Sequence, residues 1–523
     1  MDADTVRQLL RPGAFPHPGA DIALRETHIS WVVLGGEFAY KIKKPVNFGF
    51  LDFSTLALRR HFCERELALN RRYAPEIYLS LASVTAEPDG LRFDGDGPVV
   101  DYAVKMRRFD EGQLLDNIAA RGELARPLVR AVARELAERQ RDAPVCHPAP
   151  GSDEPGSPAV LRAAMTQNFQ QVRDYRIGPG EQAQLNTIEQ WTLARYASLA
   201  PLLEQRAASG MVIDGHGDAH LGNIALIDGA VRLFDCIEFN AALRVMDSIG
   251  EIAFLSMDLE ARGHSGESHC VLTDYLEYRG DYAGLPLLQL YRCYFAMVRA
   301  KVALLREPAG TGSIQSSGAY AGFCRYLSLA QGYCQPTARF LAITHGVSGT
   351  GKSTVADRLV AACGAVRLRS DVERKRLFGL APEQRSDPAD RERLYSAAMS
   401  RRTFDRLEQL ALLSLDAGFA VIVDATFLHR RTRDTFRQLA TRLGLAFVII
   451  DCSGAPRARL RDRLEQRERE GVDASEAGVT VMEDQLEVDQ ALADVELAHR
   501  MAVDSGESAD VLWQHLQDTL HRD

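Results

Sequence analysis

The chain has 523 residues, 46% hydrophobic and 25% charged, with a formal net charge of -9. That length exceeds what one hydrophobic core holds and predicts two or three domains, and the composition excludes a disordered or fibrous chain. Net acidity weighs against a dedicated nucleic-acid binder, nine scattered cysteines without a CxxC pair exclude a disulfide framework, and no run approaches the about 20 apolar residues of a membrane span.

The first residues, MDADTVRQLLRPGAF, place acids, arginines and a proline where a secretory signal needs an apolar core, so a cytoplasmic protein is expected. Residues 28–43, HISWVVLGGEFAYKIK, hold two β-rich runs flanking Gly35-Gly36, which predicts a hairpin. Residues 56–73, LALRRHFCERELALNRRY, carry apolar side chains at helical spacing and stop near Ala74-Pro75. With a strand expected at 99–106 (VVDYAVKM), these elements predict a small β lobe. Residues 143–158, rich in Pro, Gly and Ser, read as an exposed loop. From there to about residue 333 the pattern is mostly helical, broken by a β-rich island at 212–239.

That island contains His216-Gly217-Asp218-Ala219-His220-Leu221-Gly222-Asn223, followed by Phe234-Asp235-Cys236-Ile237-Glu238. An aspartate five residues before an asparagine, then a second aspartate after a short hairpin, is the spacing of a kinase catalytic centre. Asp218 would accept or orient the proton of an acceptor hydroxyl, and Asn223 and Asp235 would hold Mg²⁺ against the phosphates of ATP. The segment between them alternates around Asp228-Gly229, a favoured hairpin turn that brings Asn223 and Asp235 to neighbouring positions. The plainer alternative is a polar loop before an ordinary hairpin.

These residues resemble the aminoglycoside phosphotransferase and choline kinase superfamily, which reads H-G-D-x-H-x-x-N where protein kinases read H-R-D. The resemblance spans roughly residues 25–330 and implies a protein-kinase-like α+β fold, with a small β lobe and a large helical lobe. It implies that Lys41 (in FAYK) takes the place of the phosphate-binding lysine, with Lys43 on the same strand face as its rival. Glu66 would orient that lysine, with Glu64 as the competing acid. Asp247 falls where the superfamily braces its catalytic loop, and His216 and His220 read as structural. The sequence departs from the pattern in one respect: no G-x-G-x-x-G precedes Lys41, where only Gly35-Gly36 stands. That leaves room for a domain that binds ATP without turning it over.

Gln335-Pro336-Thr337 marks the expected boundary between domains at 1–335 and 338–523. Beyond it, apolar strands alternate with amphipathic helices, which predicts an α/β domain with a parallel sheet. Gly346-Val347-Ser348-Gly349-Thr350-Gly351-Lys352-Ser353-Thr354 fits G-x-x-x-x-G-K-[ST], between an apolar strand and a helix. Its backbone N–H groups would cradle phosphates, Lys352 would reach the β- and γ-phosphates, and Ser353 would ligate Mg²⁺. Asp424 ends the apolar run 421–424 as a Walker B acid does; the alternative is a strand-end cap. Asp371 and Arg374, three apart at a helix start, share a face. They form either a surface ion pair or a base with an acceptor-positioning arginine. The run 457–469, RARLRDRLEQRER, is either a solvated helix or a lid whose Arg463 and Arg467 close over the transferred phosphate.

From residue 340 onward the chain resembles small P-loop kinases of AAA-type fold: gluconate kinase, shikimate kinase and the 5′-hydroxyl kinase domain of polynucleotide kinase. That resemblance assigns the role of base to Asp371. The whole chain is similar to bacterial fusions of a phosphotransferase-like domain with a P-loop kinase domain, through YKIKKPVNFGFLDFS, HGDAHLGNI and GVSGTGKST. The function expected is an ATP- and Mg²⁺-dependent phosphotransferase with two nucleotide sites, acting on a hydroxyl of a small molecule or a nucleic-acid end. Net acidity disfavours the nucleic-acid end. The alternative is an ATP-binding switch with one or both domains non-catalytic. No motif specifies the acceptor or the oligomeric state.

Overall fold

The computed structural model describes residues 1–49, 51–305, 318–387, 389–470 and 474–521, with the side chains at 467, 468 and 470 outside that set. Two compact units are present. The first comprises Met1–Ala125, Glu138–Tyr175 and Leu193–Asp258; the second comprises Arg126–Ala137, Arg176–Thr192 and Leu259–Asp523.

The first unit opens on an antiparallel sheet ordered β1-β2-β3-β6-β4-β5. Its strands are β1 (Ala23–Glu26), β2 (Ser30–Gly35), β3 (Phe38–Lys43), β4 (Tyr78–Glu87), β5 (Gly90–Phe93) and β6 (Val99–Arg107). The β2–β3 hairpin and β6 fall where the alternation predicts them. β1, ALRE, is a half-exposed edge strand whose polar residues give no apolar signal, and it was not expected. The β4–β5 hairpin was not expected either. Helix α1 (Leu56–Asn70) starts at Thr55, whose hydroxyl accepts from the amide of Leu58 at 3.2 Å. Arg59 anchors α1 to β6: its Nε lies 2.8 Å from Oδ1 of the buried Asp101. The apolar side chains of Cys63, Ile77, Tyr78 and Val104 close the space between helix and sheet.

Helices α2 (Arg126–Asp142), α3 (Pro158–Arg173) and α4 (Pro179–Ala208) follow. Short strands β7 (Val212–Asp214) and β10 (Val245–Asp247) pair antiparallel, and β8 (Ile224–Ile227) pairs with β9 (Ala230–Leu233). The β8–β9 turn has Asp228 at φ 50° and Gly229 at φ 79°, the two left-handed residues that a tight hairpin with native twist requires. Helices α5 (Ile249–Ala261), α6 (Ser265–Arg279), α7 (Leu285–Leu304) and α8 (Gly318–Tyr333) complete the helical stretch.

The second unit is built on a parallel sheet ordered β12-β13-β11-β14-β15. The strands are β11 (Phe340–His345), β12 (Val366–Arg369), β13 (Val421–Asp424), β14 (Ala446–Asp451) and β15 (Arg500–Ala502). Every residue of β11 is buried, as expected for a central strand covered on both faces. Around it lie α9 (Lys352–Cys363), α10 (Ser370–Phe378), α11 (Ala397–Asp416), α12 (Arg430–Leu443), α13 (Arg457–Glu470), α14 (Val479–Val488) and α15 (Ala509–Leu520). Helix α9 packs against α6 and α15. The strands β11, β12 and β13 end together at their carboxyl termini, where a doubly wound sheet keeps its ligand crevice.

The fold class is two-part: a protein-kinase-like α+β fold with a small β lobe and a larger helical part, and an α/β P-loop fold on a parallel sheet. Among the described residues no helix is long and apolar enough to cross a membrane. Ile343 is fully buried in the middle of β11. Ile343→Ala is expected to destabilise the parallel sheet by about 2–5 kcal/mol, read as faster amide exchange in β11 and an earlier urea transition.

Candidate functional site

Each unit has a cleft that gathers charged side chains. In the first, Lys41 on β3 points its ammonium at Glu66 Oε1 of α1 (2.8 Å) and Asp235 Oδ1 (2.5 Å). Burial opposes the charge on Lys41, but the carboxylates of Asp235, Glu66 and Glu238 outweigh it and hold the ammonium well above the ordinary lysine value. Lys43, two residues along the same strand, is fully buried, with Nζ 2.7 Å from Glu66 Oε2 and a second contact to Glu238. The two lysines therefore share Glu66, but Lys41 lines the cleft and Lys43 lies beneath it. Glu64, the rival acid, pairs with Arg60 in solvent. Burial pushes the Glu66 carboxyl up while Lys41 and Lys43 pull it down further, to about 2.

The HGD loop is tied to the segment that carries Asp235. Asn223 Nδ2 donates to Asp218 Oδ2 (2.8 Å) and to the Asp218 carbonyl (3.1 Å), and the amide of Phe234 donates to the Asn223 carbonyl (3.0 Å). Asp218, Asn223 and Asp235 thus flank the base of the β8–β9 hairpin, as the spacing predicts. Asp235 has φ 61°, its amide donates to the Tyr78 hydroxyl at 3.0 Å, and its side chain is 43% exposed. Burial holds the His216 ring below its ordinary value, and Nε2 of that ring lies 2.9 Å from the Phe234 carbonyl, which suits a structural residue. Asp247, expected to brace the loop, instead binds Arg206 in a buried two-point pair at 2.7 and 2.8 Å. Bracing falls to Glu251, which accepts from the amides of His216 and Gly217, and to Asp258, which accepts from the amide of Leu221. Sequence reading missed both acids, although Glu251 lies in the same run, RVMDSIGEIAF.

The cleft has a volume of about 1200 Å³ and runs under β1, β2 and β3 to residues 107–111 after β6. The β2–β3 turn at Gly36 stands at that end, because Phe38 pairs with Arg107. The turn near Lys41 is instead the β1–β2 turn, Thr27–Ser30. It contains no glycine and is closed by hydrogen bonds between Thr27 and Ser30. Gly36 and Glu37 of the β2–β3 turn also line the cleft.

In the second unit the P-loop turns from β11 into α9 with Gly346 at φ 130°, Gly349 at φ 87° and Gly351 at φ 92°. A Cβ on Gly349 would stand 3.0 Å from the carbonyl oxygen of Leu460 on α13, so this position needs glycine on two counts. Lys352 Nζ donates to the Val347 carbonyl (2.7 Å), and Thr350 Oγ1 donates to the same oxygen (2.9 Å). Gln485 of α14 accepts from the amide of Ser348 at 2.7 Å, an unexpected partner. Ser348, Gly349, Gly351, Lys352, Ser353 and Thr354 all line a cleft of about 400 Å³.

Asp424, at the end of β13, lines the same cleft as Ser353. Burial raises the Asp424 carboxyl above its ordinary value against the pull of Arg369, Arg367, Ser353 and Lys352. Its Oδ2 is buried without a hydrogen-bond partner. Asp371 and Arg374 line the same cleft from α10. Arg374 donates to the Leu394 carbonyl (3.2 Å) and to Ser400 Oγ (3.1 Å) and lies 5.2 Å from the Tyr395 ring, so it is held rather than solvated. Arg463 of α13 donates to the Gly349 and Thr350 carbonyls (3.3 Å each) and to Ser505 Oγ (2.8 Å). The side chain of Arg467 lies outside the described residues. Arg369, the last residue of β12 and two before Asp371, also lines this cleft, and no motif predicts it there.

Among the described residues no three His, Cys, Asp or Glu side chains form a metal-binding group. The pairs available, Asn223 with Asp235 and Ser353 with Asp424, are hard oxygen donors. Such sparse sets suit Mg²⁺, which keeps waters and takes its remaining ligands from phosphates. The unpartnered Oδ2 of Asp424 beside the Ser353 hydroxyl is where a cation fits.

A lysine-bearing α+β fold and a P-loop on a parallel sheet define a nucleotide-binding protein of kinase-like architecture. The AAA domain family matches residues 341–492. The chain belongs to the same family as Uncharacterized protein Rv2004c of Mycobacterium tuberculosis H37Rv, with 32% identity over 444 residues, 84% of this chain and 85% of that one. Among solved structures it is similar to a gluconokinase from Sinorhizobium meliloti 1021 (22% identity, 36% of this chain and 94% of that one, TM-score 0.24). It is also similar to a choline/ethanolamine kinase family protein from Mesorhizobium loti (14% identity, 63% and 99%, TM-score 0.37).

The depressed Glu66 has a consequence for acid stability. Its contribution is fully present above the ordinary carboxylate value, about 4, and is lost as pH falls towards about 2. Glu66→Gln is expected to be less stable than wild type at neutral pH and to lack this part of the acid transition, so the two melting curves converge near pH 2. A constant gap down to that pH would overturn the assignment. At the P-loop, Gly349→Ala is expected to weaken ATP binding at least tenfold by displacing the loop from α13, measured by calorimetric titration.

Proposed function

We propose that this protein is an ATP- and Mg²⁺-dependent phosphotransferase with two nucleotide sites, each passing the γ-phosphoryl group to a hydroxyl of an acceptor. The observation that supports the reading is that Lys41 meets Asp235 in the first cleft, with Asp218 held by the neighbouring Asn223, and that Lys352, Asp424 and Asp371 line the second. Binding alone needs no base.

In the first cleft Lys41, oriented by Glu66, binds the phosphates, and Asn223 and Asp235 hold the metal. Asp218 receives or orients the proton of the acceptor hydroxyl, with its carboxylate fixed by the Asn223 amide. In the second, the amides of residues 346–354 and Lys352 bind the phosphates, with Ser353 and Asp424 at the metal. Asp371 serves the acceptor hydroxyl, Arg374 orients the acceptor, and Arg463 neutralises phosphate charge from α13. Mg²⁺, when bound, supplies charge neutralisation across the phosphates. The acceptor is a hydroxyl-bearing small molecule, with a nucleic-acid end the less favoured choice on net charge. The nine free cysteines suit a cytoplasmic location.

A second reading, an ATP-binding switch in which the first site does not turn over, is favoured by the glycine-free Thr27–Ser30 turn. Mg²⁺-dependent ATP consumption, with and without a small-molecule bacterial extract, separates the two readings. Asp218→Ala and Lys352→Ala are each expected to remove a separate share of extract-stimulated turnover, by about 100-fold or more at the altered site. Loss with Lys352→Ala alone would favour the switch for the first cleft. If wild type binds ATP yet consumes none, the phosphotransferase reading fails.

A further inference from the structure

Behind the second cleft lies a buried ionic cluster within the second unit, and it includes residues outside the stretch matched by the AAA domain family. Glu277 of α6 is fully buried. Its Oε1 lies 2.8 Å from Arg367 on β12, and its Oε2 lies 3.2 Å from Arg130 on α2 and 3.7 Å from Arg369 on β12. Asp274, one turn earlier on α6, pairs with Arg126 and with Arg130 (3.0 Å). Asp357 on α9, the helix that follows the P-loop, pairs with Arg126 (2.7 Å) and Arg367 (3.2 Å). Burial pushes the Glu277 carboxyl up, but Arg367, Arg369 and Arg130 hold it down at about 2, so it carries a full charge at neutral pH.

Arg369 is the member of this cluster that reaches the nucleotide cleft. It sits opposite Asp424 in the parallel pairing of β12 with β13, with Nε 3.8 Å from Asp424 Oδ2. An arginine so placed is a competitor for that carboxylate: drawn closer, it would occupy the oxygen that a cation needs. Glu277 Oε2 attracts the same guanidinium at another nitrogen, 3.7 Å away, and Asp424 Oδ2 has no hydrogen bond.

We propose that Glu277 is a positioning residue for the P-loop metal site, drawing Arg369 off Asp424 so that the carboxylate is available to Mg²⁺. The availability of the Walker B acid is thereby set by helix α6, outside the P-loop fold itself. Two further contacts tie this stretch to the same corner: Arg376 of α10 donates to the Glu277 carbonyl, and Tyr282, three residues beyond the end of α6, donates to Glu373 at 3.4 Å. This inference rests on the reading of the second cleft as an ATP and Mg²⁺ site.

The test is equilibrium ATP binding by the full-length chain at stepped Mg²⁺, in a Lys41→Ala, Asp235→Asn background that silences the first cleft. Glu277→Gln is expected to raise the Mg²⁺ half-saturation by about tenfold, because Arg369 then relaxes onto Asp424. Arg369→Gln, which leaves Glu277 with Arg367 and Arg130, is expected to lower it below the parent value. The double variant should match Arg369→Gln, a rescue that a merely structural role of Glu277 would not produce. An unchanged half-saturation in Glu277→Gln, or a double variant that stays high, overturns the inference. Should Glu277→Gln not fold, Arg369→Gln decides alone: a half-saturation at or above the parent value overturns it. Lys352→Ala separates the two levels. If it leaves Mg²⁺-dependent binding intact, the nucleotide reading falls and the inference with it. If it abolishes binding while Glu277→Gln changes nothing, only the inference falls.

Discussion

Both clefts depend on keeping an ammonium charged while most of its hydration is removed. Burying an ammonium is costly unless it is paired and hydrogen-bonded. At Lys41 the compensation comes from carboxylates, Glu66 and Asp235. At Lys352 it comes from the carbonyl of Val347, within the loop itself. That difference shapes the two folds. The phosphate-binding loop itself comes from one strand–loop–helix segment, and Asp371, Asp424 and Arg463 join it from other elements. The first site requires α1 to present charge inward, and Arg59 and Glu66 are buried on the face where apolar residues would otherwise sit. Asp101 on β6 then has to meet Arg59, and the sheet, the helix and the lysine become one connected arrangement.

The irregular backbone of the HGD loop adds a second requirement. Buried amides outside regular structure need partners, and Glu251, Asp258 and Asn70 provide them for His216, Gly217, Leu221 and Cys236. These acceptors lie on helices α5 and α1, so the segments that carry Asp218 and Asp235 are held by helices that contribute no proposed base or metal ligand. The lysine, the aspartate and the asparagine are held from behind.

What was legible in the sequence is what is contiguous. The P-loop, the HGD string and the Asp228-Gly229 turn each depend on neighbouring residues, and the backbone follows the pattern. Lys41 and Lys43 could not be separated, since a strand of period two sets both on one face; only Asp235 and Glu238, far along the chain, distinguish them. β1 escaped notice because an edge strand is polar by necessity. Glu277, Arg369 and Gln485 escaped because their partners are distant in sequence and no spacing rule joins them. The same holds for Asp247, whose expected contact belongs to Glu251 and whose actual partner, Arg206, sits on α4.

The shared carboxylate of Glu66 gives the first cleft a property that a single ion pair would lack. Lys41 lies between Glu66 and Asp235, and binding a phosphate requires that it leave Asp235 free for a metal. An ammonium moving towards a phosphate would ordinarily loosen the acid that orients it. Here Glu66 keeps its second oxygen on Lys43, and Lys43 is itself fixed by Glu238 beneath the cleft. The orienting acid therefore stays in place while Lys41 exchanges one anionic partner for another. On the proposed reading, the buried Lys43–Glu238 pair would hold Glu66 in place when Lys41 leaves Asp235 for a phosphate.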